Sequence, residues 1–443
     1  MHAKGRVAVI GAGIAGLSCA WDLHKAGVDV QVFERDAQAG GRMSTRTKDM
    51  LAFDLGANFL VRAYSNVFQL AEELGVGLRT VSPVDHAVYR DGTARLLHFS
   101  SVRGMFRMDC LGLWSRLRVL RFLLKVRLRY PLLDFFHLSS LSTQLNKEDA
   151  YSYARRKVGQ EFADYIVDSF NGCMMFHRAS EISAAAFLSL FRMMADPAYD
   201  FGIYHAQGDM QAISDAMARS LSVHTSCPVT ELRQEGSGWR LMCARGSPFF
   251  DRVVLATTAG VAHHLLRDGP AMQRDLVAGT RYSSTVNVSF RVPKQALGQT
   301  HCFYVPFCEN RLISEFTNEA LKGDHTTHQG WSLVNVGLHE SGALPLLEQS
   351  DEQIFAAVAE QLLALHPDLQ ADQLKPYDLQ RWREAIPKYD CQHVERVRQF
   401  EKQAQGDSGL FLCGDYLNSP WLEGACRSGR RAARAVLSDL ARG

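Results

Sequence analysis

The chain has 443 residues, 47% hydrophobic and 22% charged, the balance of a large globular protein. That length exceeds what one core usually holds, so two domains are expected. A net charge of +2 excludes a general nucleic-acid footprint, and no apolar run is long enough to span a bilayer.

Residues 7–34 read VAVIGAGIAGLSCAWDLHKAGVDVQVFE, an apolar strand, a glycine turn, a small-residue helix and a second strand ending in an acid. This is the βαβ pattern that binds a dinucleotide. Gly11 allows the tight turn and Gly13 lets the backbone approach a pyrophosphate. Gly16, next to Ala15, lets the helix sit close to the sheet. The phosphates face the free N–H groups of the helix beginning near Ile14, and Glu34 is placed to accept both ribose hydroxyls. The first strand begins at Arg6 or Val7, so no cleaved signal peptide is expected and the protein reads as cytoplasmic. Ten scattered cysteines without zinc spacing read as buried or idle thiols, and no metal is expected.

Arg35 and Asp36 follow, then Ala39-Gly40-Gly41-Arg42-Met43 and Phe53-Asp54-Leu55-Gly56-Ala57-Asn58-Phe59. Residues 111–130, LGLWSRLRVLRFLLKVRLRY, carry five arginines and one lysine with no acid. On a helix, Leu113, Leu117, Leu120, Leu124 and Leu128 form one stripe, and Arg118, Arg121, Lys125 and Arg129 another. Such a helix can lie peripherally on an anionic membrane surface. The preferred expectation is a helix packed on more than one side, since Val119, Phe122, Leu123 and Val126 fall outside the leucine stripe.

Phe170–Phe176 could form an irregular apolar cavity wall, with plain core as the preferred expectation. His177 and His205 read as structural histidines rather than bases. Gln207-Gly208-Asp209-Met210 leads into a helix through Ile213 and Met217, then strand-like runs at Leu221–His224, Val229–Leu232, Arg240–Cys243 and Val253–Ala256. A second set of strands is expected at Ser284–Phe290, Cys302–Val305, Leu312–Phe316 and Trp331–Leu338, followed by a helix over Asp351–Leu365. Near the C-terminus stand Trp382-Arg383-Glu384-Ala385-Ile386-Pro387-Lys388-Tyr389, Gly409–Asp415, and a small-residue helix starting near Glu423. The first turn of that helix offers unpaired N–H groups and partial positive charge.

Together these motifs resemble the superfamily of flavin-containing amine oxidases, protoporphyrinogen oxidases and phytoene desaturases, most specifically over residues 5–62 and 406–437. The resemblance implies FAD. Glu34, with Arg35 beside it, would hold the adenosine ribose, Gly41 and Arg42 the phosphate region, and the backbone at Val229 the adenine. Gly56, Ala57, Asn58 and Phe59 would form the approach to the flavin ring. Gly414 and Asp415 would meet the ribityl or pyrophosphate end, and Glu423, Gly424 and Ala425 would start the flavin-facing helix.

The implied fold is α/β. A Rossmann-like FAD-binding domain (1–80, 205–281 and 390–443) is interleaved with an α+β substrate domain of mixed sheet plus helices (81–204 and 282–389). Many amine oxidases of the superfamily place a water-holding lysine where Asn287 aligns here, which leans toward the protoporphyrinogen-oxidase and desaturase branches. Asn287, Trp382 and Tyr389 are expected at the reacting end, with Tyr416 and Trp421 adding aromatic faces. The reading is hydride removal from a C–H next to nitrogen, or in a partly reduced ring, of an apolar or heterocyclic small molecule. Oxygen or a quinone would be the acceptor. An amine or amino-acid oxidase, and a non-redox flavoprotein or isomerase, are the alternatives.

Overall fold

The computed structural model describes residues 5–442 apart from 82–84, 99–103, 105, 106, 138, 139, 142, 197, 198, 200, 201, 268 and 404. Five parallel strands form one sheet in the order Ser222–His224, Asp29–Phe33, Arg6–Ile10, Arg252–Leu255 and Leu410–Leu412. Val7, Val9, Val253, Val254 and Phe411 are fully buried, as expected of a parallel sheet covered on both faces. The C-terminal helix Trp421–Leu440 lies against the helix Ile14–Lys25. Its small residues explain the close approach: a Cβ on Gly429 would meet the Ala15 carbonyl oxygen at 2.1 Å. A Cβ on Gly16 would meet the Gly11 carbonyl oxygen at 2.0 Å.

The second large sheet is mixed. Its order is Lys375–Trp382, Thr285–Pro293, Trp331–Leu338, Ile313–Asn318, Thr300–Tyr304, Asp85–Arg90 and Thr93–Leu97, with Thr327–His328 pairing the third. The strands expected from the alternating pattern are present, with ends shifted by a few residues. The helix Asp351–Leu365 has the expected bounds. It is opened by a capping box between Ser350 and Gln353, and it buries Ile354, Val358 and Leu362.

The basic helix spans Leu113–Arg129, but its buried face is Val119, Phe122 and Val126. Four of the five leucines of the stripe are unpacked: Leu113, Leu117, Leu124 and Leu128 are exposed, as is Trp114, while Leu120 is partly buried against the core. This corrects the expectation of packing on several sides. The aromatic side chains Phe162, Phe187 and Phe191 surround Phe122 and anchor the helix on that face alone.

Candidate active site

One cavity of about 510 Å3 runs from the glycine turn of the parallel sheet to the face of the mixed sheet. Gly13, Ile14 and Ala15 line its first end. Gly11 has φ of +103°, a conformation glycine adopts freely, and a Cβ there would press on the Ala256 carbonyl oxygen at 2.9 Å. Gly13 differs: a Cβ built on it meets no atom within 4 Å. The helix N-terminus therefore opens on free space, with its first N–H groups available to an anion. Glu34 is buried behind this turn. Its carboxylate accepts the Ala12 N–H at 2.7 Å and the Asp36 N–H at 3.0 Å, so in this structure it shapes the loop and does not line the cavity.

Arg42 and Asp415 form the middle of the wall. The guanidinium donates to both carboxylate oxygens, at 2.8 and 3.0 Å, and to the Ala385 carbonyl at 2.6 Å. Burial opposes the charge on Arg42, and Asp415 more than offsets it. Gly56 sits on this turn, since a Cβ there would meet the Arg42 carbonyl oxygen at 2.3 Å. Gly56, Ala57, Asn58 and Phe59 all face the cavity. Tyr389 was expected there too, but it is fully buried behind the wall and donates to the Asp415 carbonyl oxygen at 3.1 Å. Tyr416 is likewise core, not wall.

The mixed sheet supplies the far face. Asn287 Nδ2 and Trp382 Nε1 both donate to the carbonyl oxygen of Leu55, each at 2.8 Å, and so pin the loop that begins at Gly56. With its amino group committed, Asn287 keeps a buried Oδ1 without a protein partner. Val288 pairs with Val336 and Glu315 with Gly337, so Asn287, Gly337, Glu315 and Tyr304 fall in one row across the sheet. Glu315, Thr317, Cys302, Tyr304 and Asn335 line the cavity, and sequence reasoning missed them. A carboxylate inside a predicted strand, Glu315 with Thr317 two residues on in ISEFTN and so on the same face, was the available signal.

Burial pushes the Glu315 carboxyl up to about 8. Cys173, Cys302 and Glu315 bring one ligand-type atom each within 4.8 Å of one another, so the absence of a zinc spacing did not preclude a cluster formed through the fold. The ten cysteines are free thiols, and burial raises both Cys173 and Cys302 toward the neutral form.

Two non-glycine residues with left-handed backbone, Phe176 at φ +67° and Trp421 at φ +72°, stand in the cavity wall. Their strain is held by tertiary contacts. Trp421 Nε1 donates to the Met174 carbonyl at 3.3 Å, and its ring lies 5.1 Å from that of Phe135. Phe170 and Met174 also face the cavity. His205 bonds Asp54 at 3.1 Å and lies fully buried, as a structural histidine does; burial lowers His177 to about 4.

Five more of the expected contact residues do not line the cavity. Glu423 is fully buried and caps the helix Ser65–Glu73, accepting from the Asn66 and Val67 N–H groups at 3.0 and 3.1 Å and from Arg427 at 2.7 Å. A free helix start has donors to satisfy, and Glu423 satisfies them. Gly424 is a packing position, where a Cβ would meet the Ser419 carbonyl oxygen at 2.1 Å. The Arg35 side chain is exposed beside Asp36, and Val229 packs at the edge of a core outside the cavity. Gly41 stands next to Gly13 without lining the cavity, whereas Gly414 and Ala425 do line it.

The residues present fit an elongated anionic dinucleotide with a flavin ring. Open space lies before Gly13, a paired arginine stands midway, and an unpaired amide oxygen waits at the far end.

The sequence profile of the family described as flavin containing amine oxidoreductase matches residues 14–437. Protoporphyrinogen oxidase 2, chloroplastic/mitochondrial, of Arabidopsis thaliana is 24% identical over 98% of this chain and 94% of its own length. Zeta-carotene desaturase of a Synechocystis strain is 22% identical over 99% of this chain and 98% of its own. A redesigned variant of putrescine oxidase superposes with a TM-score of 0.79 at 17% identity, covering 98% of this chain and 99% of that one.

Proposed function

The chain belongs to the flavin-containing amine oxidoreductases and is an FAD-dependent oxidoreductase, and we propose that it dehydrogenates a C–H bond next to nitrogen, or in a partly reduced ring. The substrate is an apolar or heterocyclic small molecule. The bound flavin would supply the two-electron redox chemistry. Gly11, Gly13 and the start of the helix Ile14–Lys25 would hold its pyrophosphate, with Arg42, Asp415 and Gly414 along its length. Asn287 and Trp382 fix the Leu55 carbonyl and the Gly56–Phe59 loop, which sets the face on which a substrate rests. The N-terminal turn of Trp421–Leu440 supports negative charge at the cavity through Leu422 and Ala425.

The observation that carries this reading is the single cavity joining the Gly13 end to a wall of Phe170, Met174, Phe176, Met193 and Trp421. Asn287, where many amine oxidases of the superfamily carry a lysine, supports the ring-oxidising branch over simple amine oxidation. Anaerobic mixing tests it. A pyrroline or a porphyrinogen should bleach the flavin band faster than primary alkylamines do, and rapid bleaching by several simple amines would sink the proposal. Reoxidation by oxygen with peroxide release, or by a quinone, identifies the acceptor.

The same reading includes a peripheral membrane contact. Six of the nine exposed large apolar side chains among the described residues are Leu113, Trp114, Leu117, Leu124, Leu128 and Leu132. Exposed Arg118, Arg121, Lys125 and Arg129 run beside them. An anionic lipid surface complements both features, each basic residue near it contributing on the order of 1 kcal/mol. Val119 and Leu123 on the inner side of this helix line a small apolar cavity that shares Leu97, Phe170, Met194 and Tyr304 with the large one. Among the described residues no helix is long and apolar enough to cross a membrane. Sedimentation with phosphatidylglycerol vesicles at low salt, reversed by salt and weakened by Leu124→Ser, is the expected result. A protein that stays in the supernatant would remove the contact.

A further inference from the structure

Four carboxylates line the cavity: Asp54, Asp85, Glu315 and Asp415. Asp415 is taken by Arg42 and Asp54 by His205 and Thr45, while Asp85 is exposed. Glu315 is different. It lies inside the protein, and among the described residues no cation pairs with it. The groups that face it are neutral or committed elsewhere. Cys173 comes from the helix Ser169–Met175, and Cys302 and Tyr304 from the strand Thr300–Tyr304; burial keeps all three protonated. The third neighbouring strand offers Gly337 and the amide Asn335. Beyond them, Lys322 is held by Glu319 at 2.7 Å and stands 3.8 Å from Asp54.

We propose that Glu315 is a specificity-determining residue whose carboxylate receives a protonated nitrogen of the ligand, an ammonium, amidinium or ring N–H cation. The inference rests on reading this cavity as the substrate site. Gly337 separates Glu315 from Asn287 in their row, and two strand spacings put the two residues roughly 10 Å apart. The absent side chain lets the Glu315 carboxylate lie over Gly337, on the Asn287 side of its own strand: a Cβ on Gly337 would meet Glu315 Oε1 at 2.7 Å and Phe176 at 3.2 Å. Apolar walls hold the body of a ligand, and the carboxylate takes its charged end. Burial and the nearby negative charge of Glu319 raise its proton affinity, against the opposing pull of Lys322, so this unpaired carboxylate holds its proton until a cation arrives. Recognition of the cation is therefore coupled to pH.

Benzamidine, a cation over the range used, and neutral benzamide are matched probes for calorimetric titration of the purified holoprotein. Benzamidine should bind more tightly than benzamide at pH 9. That preference should shrink about tenfold by pH 7, because a carboxyl titrating near 8 is mostly ionised at the first pH and mostly protonated at the second. Glu315→Gln should abolish both the preference and its pH dependence. Benzamide affinity should stay within about twofold, and FAD content should match the parent, which shows an intact fold. Glu315→Asp should restore part of the preference. A wild-type preference that is absent, independent of pH, or unchanged in Glu315→Gln overturns the inference. So does one zinc per chain that is lost in Glu315→Gln, since Glu315 would then be a metal ligand with Cys173 and Cys302. A protein without flavin overturns the reading of the cavity instead, which separates the two failures.

Discussion

Replacing Asn287 with alanine separates a functional amide from a structural one, because the terms can be weighed in advance. The substitution removes the hydrogen bond from Nδ2 to the Leu55 carbonyl, 2.8 Å long, a loss of about 1 kcal/mol. The carbonyl is not orphaned, since Trp382 Nε1 still donates to it at 2.8 Å. The substitution also removes the buried Oδ1 that has no protein partner, which relieves about 1–3 kcal/mol of desolvation cost in the cofactor-free protein. No enclosed void forms, because the side chain already borders a cavity of about 510 Å3. The two effects oppose, and the net result should lie between no change and a gain of about 2 kcal/mol in stability. FAD should be retained, since the site lies outside the glycine turn and the Arg42–Asp415 pair. Flavin reduction or substrate affinity should fall about tenfold, equivalent to roughly 1.4 kcal/mol. Urea unfolding of the apoprotein and anaerobic stopped-flow reduction of the holoprotein measure the two sides. A stability loss above about 2 kcal/mol with unchanged reduction would refute the argument and leave Asn287 as a loop tie.

Gly13→Val should fold with near-native stability, because its φ of −74° and the empty space before it accept a side chain, yet purify colourless. A yellow Gly13→Val protein would move the pyrophosphate elsewhere. Lys322→Met leaves Glu319 uncompensated where both side chains are fully buried, and chemical denaturation should show a loss of about 3–5 kcal/mol. A loss under about 1 kcal/mol would mean that the pair is hydrated. The raised Glu315 carboxyl makes the folded state bind more protons than the unfolded state between the ordinary value of 4.5 and about 8. Stability should therefore fall as pH rises through that window, and Glu315→Gln should flatten the fall. An identical pH profile in the two proteins would show that the carboxyl is not raised.

The dinucleotide end was legible because its chemistry is local. The turn Gly11–Gly16 and the small residues of the last helix each act through backbone geometry that a short stretch specifies by itself. The Gly56–Phe59 loop and Asp415 were legible as motifs, and both stand in the cavity wall. The sequence alone did not determine which way long side chains turn. Glu423 has the motif position but caps a distant helix, and Tyr389 has the aromatic ring but lies behind Asp415. Both outcomes depend on what other segments leave unsatisfied. The leucine stripe of Leu113–Arg129 shows the same limit, because periodicity reveals that a helix is two-faced but not which face finds a partner. Glu315, Gly337, Asn287 and Tyr304 share a row only through the pairing of four strands. A shift of one residue would turn each side chain to the opposite face, so their meeting belongs to the tertiary structure alone.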